Sequence, residues 1–312
     1  MLVAMVRWIA LVAVMVGATP AQAETLEGKP DLLAVDVKQG WVFAVGRGGE
    51  IWSQQIKKGE WQTYRKTTQT DLLSVSVVSR KDVWVVGIGG MFIHYDGEDW
   101  LSPGGSTSAT FRAVLFKDRR KGIALGDKRV RHFVRDAWDG FSAFTETPRF
   151  RAVARVGRGR RERLVAVGDK GIAVSFSGVG ASLAADLEMT GTDKTLVAVD
   201  GCPSSKSEAV AVGAGAVHRG VDGTWSALPD PPETLSGVAV QCKRGSVTRV
   251  FATGAAGLAI YDAAAGAWST RAIDGATALN AIDWVDNKRL IVVGDQGFVA
   301  ILPADEPVEP TK

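Results

Sequence analysis

The apolar positions of this chain fall into one phrase written seven times. Each copy opens on a bulky residue (Leu32, Leu72, Phe111, Phe150, Leu196, Leu235 or Leu279), turns on polar residues, and continues into an apolar run that ends in glycine. The closing glycines are Gly46, Gly87, Gly126, Gly168, Gly213, Gly254 and Gly294, spaced by 41, 39, 42, 45, 41 and 40 residues. A self-similar period near 40 marks a radial repeat.

The second copy shows the grammar in full. Leu72-Leu73-Ser74-Val75-Ser76-Val77 meets a turn at Ser79 to Lys81, then Val83-Trp84-Val85-Val86-Gly87 and a glycine turn. Met91-Phe92-Ile93-His94-Tyr95 follows, and an Asp96-Gly97 turn leads to Trp100. Short runs rich in β-branched and aromatic residues, separated by Gly, Asp and Ser, predict four antiparallel strands, A to D. One such sheet cannot bury both of its faces. Seven copies therefore stack face to face and close into a ring that protects their edges. The sequence predicts an all-β fold, a seven-bladed β-propeller of four-stranded antiparallel blades. Unit four is the weakest copy: residues 177–194 lack the D-strand tryptophan, which predicts a longer and looser outer edge. Unit seven ends near Ile301, so its outer strand must come from residues 24–30 or from the C-terminal segment.

The ends of the chain read differently. Arg7, the apolar run from Trp8 to Ala18, and Ala21-Gln22-Ala23 form a secretory signal over residues 1–23, which predicts a mature start at Glu24 and a periplasmic or otherwise extracytoplasmic location. That run is about half of the roughly 20 residues a spanning helix needs, which argues against an uncleaved anchor. The propeller is expected over residues 24–302. Residues 303–312, with three prolines and three carboxylates, are expected to form a flexible tail. Cys202 and Cys242 stand just after the first strands of adjacent units. An oxidising compartment permits a disulfide between them, the alternative being two buried thiols.

With Arg7 set aside, 36 basic and 34 acidic side chains leave a net charge near +2. This balance does not call for nucleic acid or an anionic membrane as partner, and leaves membrane contact at most peripheral.

The phrases Leu-x-x-Val, Val-Gly-x-x-Gly and Asp-Gly-x-x-Trp resemble those of the BNR-type propellers, and particularly the photosystem II stability/assembly factor-like repeat family. The resemblance covers nearly all of the mature chain and implies export and a binding function. Members from photosynthetic organisms are lumenal propellers that chaperone a membrane complex. The related sialidases carry a Ser-x-Asp-x-Gly-x-Thr-Trp box. Here it survives as Val221-Asp222-Gly223-Thr224-Trp225, without its serine, and as Asp96-Gly97-Glu98-Asp99-Trp100. A carbohydrate-binding or sialidase-like hydrolase is therefore the alternative function.

The candidate chemistry argues against that alternative. A sialidase-like site needs a nucleophile, a carboxylic acid and an arginine cluster converging on the central channel. Tyr64, Tyr95 and Tyr261 all stand outside the A strands that line it. Asp127, Asp169 and Asp295, on B–C turns, read as turn caps. His94, His132 and His218 recur on C strands, where different blades hold them farther apart than a shared zinc permits. Glycine strings such as Gly46-Arg47-Gly48-Gly49 precede no helix, so no nucleotide cofactor is expected. The sequence predicts a non-enzyme with no cofactor and no metal.

One nonrandom feature remains. The A–B turns carry Arg80 and Lys81; Arg119, Arg120 and Lys121; Arg158, Arg160 and Arg161; Lys243 and Arg244; and Lys288 and Arg289. These turns share one face of the ring, so five blades build a basic rim suited to an acidic protein surface. The carboxylates of C–D turns on the same face, such as Asp96, Asp136 and Asp222, are positioned to neutralise it. The expectation is a monomeric scaffold or assembly factor for an envelope or membrane complex.

Overall fold

A computed structural model of the protein describes residues 22–305 apart from 103–107, 143, 145–147, 179–181, 205–207 and 256. Most of the expected leader (1–21) and the end of the expected tail (306–312) lie outside the described residues.

Seven four-stranded antiparallel sheets form a closed seven-bladed propeller. The inner A strands are Leu32–Lys38, Leu72–Ser79, Phe111–Asp118, Phe150–Val156, Leu196–Gly201, Leu235–Lys243 and Leu279–Trp284, and each neighbours the next around the ring. Blades one to six run in chain order from A at the bore to D outside. In blade seven the outer strand is Gln22–Thr25, paired antiparallel with Phe298–Pro303. The N-terminus thus closes the ring.

Strand pairing and packing at the two ends of the propeller take in residues next to the expected boundaries. The closing strand begins at Gln22, so the predicted cleavage after Ala23 falls inside it and leaves Glu24 and Thr25 paired with Val299 and Phe298. At the other end the last strand runs through Pro303. Ala304 is buried, its amide donating to the Lys288 carbonyl at 2.8 Å, and Asp305 pairs with Arg249 at 3.3 Å. Residues 303–305 belong to the propeller because blade seven and its neighbour give them apolar cover and a charge partner.

Seven apolar cores lie between consecutive blades. The closing glycines owe their identity to close approach. A Cβ on Gly46 would stand 2.0 Å from the Asp31 carbonyl oxygen, the atom that accepts the Arg47 amide hydrogen at 2.9 Å. Positive φ belongs to the residues after them, such as Gly48 (61°) and Gly171 (65°) in B–C turns.

Every seam carries a polar tie between inner strands. Side chains accept amide hydrogens of the next blade at four of them: Asp36 from Val77, Ser76 Oγ from Phe116 (2.9 Å), Asp200 from Val240 (2.8 Å) and Asp283 from Val37 (2.7 Å). Two others reverse the direction, with Arg155 Nη2 donating to the Phe116 carbonyl (3.1 Å) and Trp284 Nε1 to that of Val240 (3.0 Å). Blades four and five share a backbone bond, Gly157 amide to Cys202 carbonyl, at 3.0 Å. Cys202 and Cys242 are joined by a disulfide that ties blade five to blade six.

Candidate functional site

Three places invite function: the bore, the A–B face and the B–C face. The bore is a channel of about 890 Å³ lined by the A strands. Asp36, Asp200 and Asp283 enter it at the same step of their strands, four residues after the opening leucine. Burial lifts the Asp36 carboxyl above the usual carboxylate range, and it hydrogen-bonds Asp283. Asp283 stands well above that range, through burial first and the neighbouring Asp36 charge second. Burial raises Asp200 to about 6, against the amide bonds it accepts from Val240 and Gly201.

Raised carboxyls in a channel are what acid–base chemistry uses. Here they are committed to the scaffold. Asp283 accepts Trp284 and Val37 amides at 2.7 Å through separate oxygens, and Asp200 does the same with Gly201 and Val240 at 2.8 Å. No tyrosine enters the bore: Tyr64 and Tyr95 pack tilted against each other in the core between blades one and two (centroids 5.7 Å apart), and Tyr261 packs on Trp268 at 5.3 Å. Sequence reasoning missed the bore aspartates, although their common offset from the opening leucine was the available signal.

On the A–B face, the five basic turns present Arg80, Lys81, Arg119, Arg120, Lys121, Arg158, Arg161, Lys243, Arg244 and Lys288 as exposed side chains. Arg160 sits in the same turn as Arg161, the 3₁₀ segment Gly159–Arg161. Arg289 differs, being half-buried and tied to Asp286 at 2.7 Å. Three carboxylates of C–D turns on this face also cap those turns. Asp96 accepts the Glu98 and Asp99 amides, Asp222 the Thr224 amide and hydroxyl, and Asp262 the Ala264 and Ala265 amides. Those bonds hold all three carboxyls below their ordinary range. Among the described residues, Arg119, Arg120, Arg158 and Arg161 have neither an ion-pair nor a side-chain hydrogen-bond partner.

On the B–C face, the aspartates read as turn caps serve otherwise. Asp127 and Asp169 bind the guanidinium groups of Arg112 (3.0 Å) and Arg151 (2.7 Å), and Asp295 accepts from Asn280 Nδ2 (2.7 Å). The turn amides go to aspartates of the D–A loops instead, Gly48 to Asp71 (3.0 Å) and Gln296 to Asp31 (2.9 Å). The bond to Arg151 holds Asp169 below the usual range. Arg112 and Arg151 are thus charge-paired on this face, whereas Lys128, Arg129 and Lys170 are exposed and without an ion-pair partner among the described residues.

Each histidine faces an acid of its own blade: His94 Nε2 lies 2.9 Å from Asp82, His218 3.3 Å from Glu208 and His132 3.9 Å from Asp139. No group of three metal-ligating side chains occurs among the described residues.

No protein-family model matches the chain, and no curated protein does. Among solved structures it is similar to YCF48 bound to a D1 peptide, with TM-score 0.69 and 14% identity, covering 93% of this chain and 99% of that one. It is also similar to the WD40 β-propeller domain of Doa1, with TM-score 0.70, 14% identity, and coverage of 94% and 100%. At that identity the likeness is one of fold.

Proposed function

We propose that this chain is an exported, non-enzymatic propeller of BNR type that binds a protein partner through its A–B face, as a scaffold or assembly factor for an envelope or membrane complex. The observation that carries the reading is the exposed cluster Arg119, Arg120, Arg158 and Arg161, whose side chains have no ion-pair or hydrogen-bond partner among the described residues. Unpaired guanidinium groups favour planar carboxylates, and a shared sign of charge over neighbouring blades steers an acidic surface toward them. The commitment of Asp200 and Asp283 to seam bonds supports a non-catalytic bore. A fold neighbour described as bound to a peptide supports a propeller surface as a docking platform.

The test is co-purification of partners from native envelopes with the wild-type chain and with a variant carrying Arg119→Glu, Arg120→Glu, Arg158→Glu and Arg161→Glu. A partner retained by the first and lost by the second, with capture weakening as salt rises, is the expected result. Equal capture by both would remove the basic face from the reading.

A further inference from the structure

Five outer strands place a tryptophan opposite the same register position near the end of strand C: Trp61 with Gln54, Trp100 with Tyr95, Trp138 with Phe133, Trp225 with Arg219 and Trp268 with Tyr261. Each indole packs against the core shared with the preceding blade. In blade four the residue in that register, opposite Phe176, is Ala185. Among the described residues, the core between blades three and four contains no tryptophan and is filled in part by Phe141 and Phe144.

At that seam the surface opens into a cleft of about 250 Å³ with an apolar lining that includes Ile123, Phe133, Leu164, Phe176 and Leu183. His132 also lines it, and the buried Nδ1 of this ring has no hydrogen-bond partner. The cleft lies between the A–B turns of blades three and four, with Lys121 and Gly159 on its wall. Those two turns carry Arg119, Arg120, Arg158 and Arg161.

We infer that this cleft receives an aromatic side chain from an acidic linear segment of the partner protein. The inference rests on the basic-face reading and deepens it by naming the anchor. The partner's ring enters beside Phe176, the register partner of Ala185, at the seam that lacks the indole found at five others, and the ring's neighbouring carboxylates meet the flanking guanidinium groups. An aromatic anchor entering a desolvated pocket inside a ring of polar contacts is the usual form of a binding hot spot.

The test is anisotropy titration of the purified full chain with labelled acetyl-Asp-Glu-Trp-Asp-Glu-amide and with its alanine counterpart. The tryptophan peptide is expected to bind at least about tenfold tighter. Ala185→Trp, which supplies the missing indole, should bring both peptides to the weaker affinity while the salt-dependent component persists. If that variant does not fold, Leu183→Asn should likewise shrink the preference. Equal binding of the two peptides, or a preference unchanged in both variants, overturns the inference. If binding without preference still disappears in Arg119→Glu with Arg158→Glu, the cleft fails and the basic face stands. Peptide binding indifferent to those reversals sinks both. Binding to phosphatidylglycerol vesicles without any preference for the tryptophan peptide would assign the face to a membrane and also overturn the inference.

Discussion

Asp283 accepts the amide hydrogen of Val37 at 2.7 Å across 246 residues of sequence, fastening the seventh blade to the first. The same carboxyl accepts Trp284 and crowds Asp36. Asp283→Ala leaves two amides without their acceptor but relieves that crowding, so a net loss of about 1–2 kcal/mol is expected. Asp283→Asn keeps an acceptor and should lose less. Denaturant melts of the two variants check the order.

Asp200 links stability to pH. Its folded value of about 6 lies above the ordinary 3.8, so between those values the native state binds more protons than the unfolded chain. Its contribution is therefore present at low pH and is lost as pH rises through about 6. The shift sets a ceiling of about 3 kcal/mol, and partial exposure to the channel brings the effect below it. Asp200→Asn should flatten the stability profile between pH 4 and 7 relative to wild type, as read by melts over roughly that window. An unchanged slope would show that this carboxyl titrates normally.

Glu188 works in the opposite sense. Burial pushes its carboxyl up, but the hydrogen bonds and charge of Arg219, with the Trp225 indole, outweigh burial and hold it below its ordinary range. Arg219 binds it through two nitrogens, at 2.8 and 2.6 Å, and both side chains are about a tenth exposed, at 8% and 11%. Glu188→Gln leaves a buried guanidinium without its charge partner, and a loss of about 3–5 kcal/mol is expected. The stability from this pair is present above the unfolded value of 4.5 and disappears as pH falls through the lower folded one. Acid titration of wild type and variant should show the variant lacking that drop.

The disulfide closes a sequence separation of 40 residues. On the chain-entropy estimate its removal by Cys202→Ser with Cys242→Ser costs about 4 kcal/mol. Because Asp200 and the backbone already tie these seams, the expected product is a folded but less heat-resistant ring, seen as a lowered Tm with unchanged far-UV spectrum.

The repeat made the fold legible, since seven copies of one apolar pattern ending in glycine admit few other architectures. Function was harder to read for a physical reason. Asp36 and Asp283 are far apart in sequence and meet only when the ring closes. Asp127 and Asp169 looked like local turn caps because their partners, Arg112 and Arg151, stand 15 and 18 residues earlier on the A strands and meet them only when strands A and B pair. The missing outer tryptophan of unit four was plain in the sequence. That its register position falls to Ala185, beside an open cleft, required the strand pairing.

The most direct measurement is photo-crosslinking in intact cells from a reactive residue substituted at Arg119 or Arg158 on the A–B face, with Lys170 on the B–C face as reference. The account predicts a protein adduct of the same mass from both A–B positions and none from Lys170. Adducts confined to Lys170, or absent from both A–B positions while a partner still co-purifies, would contradict it.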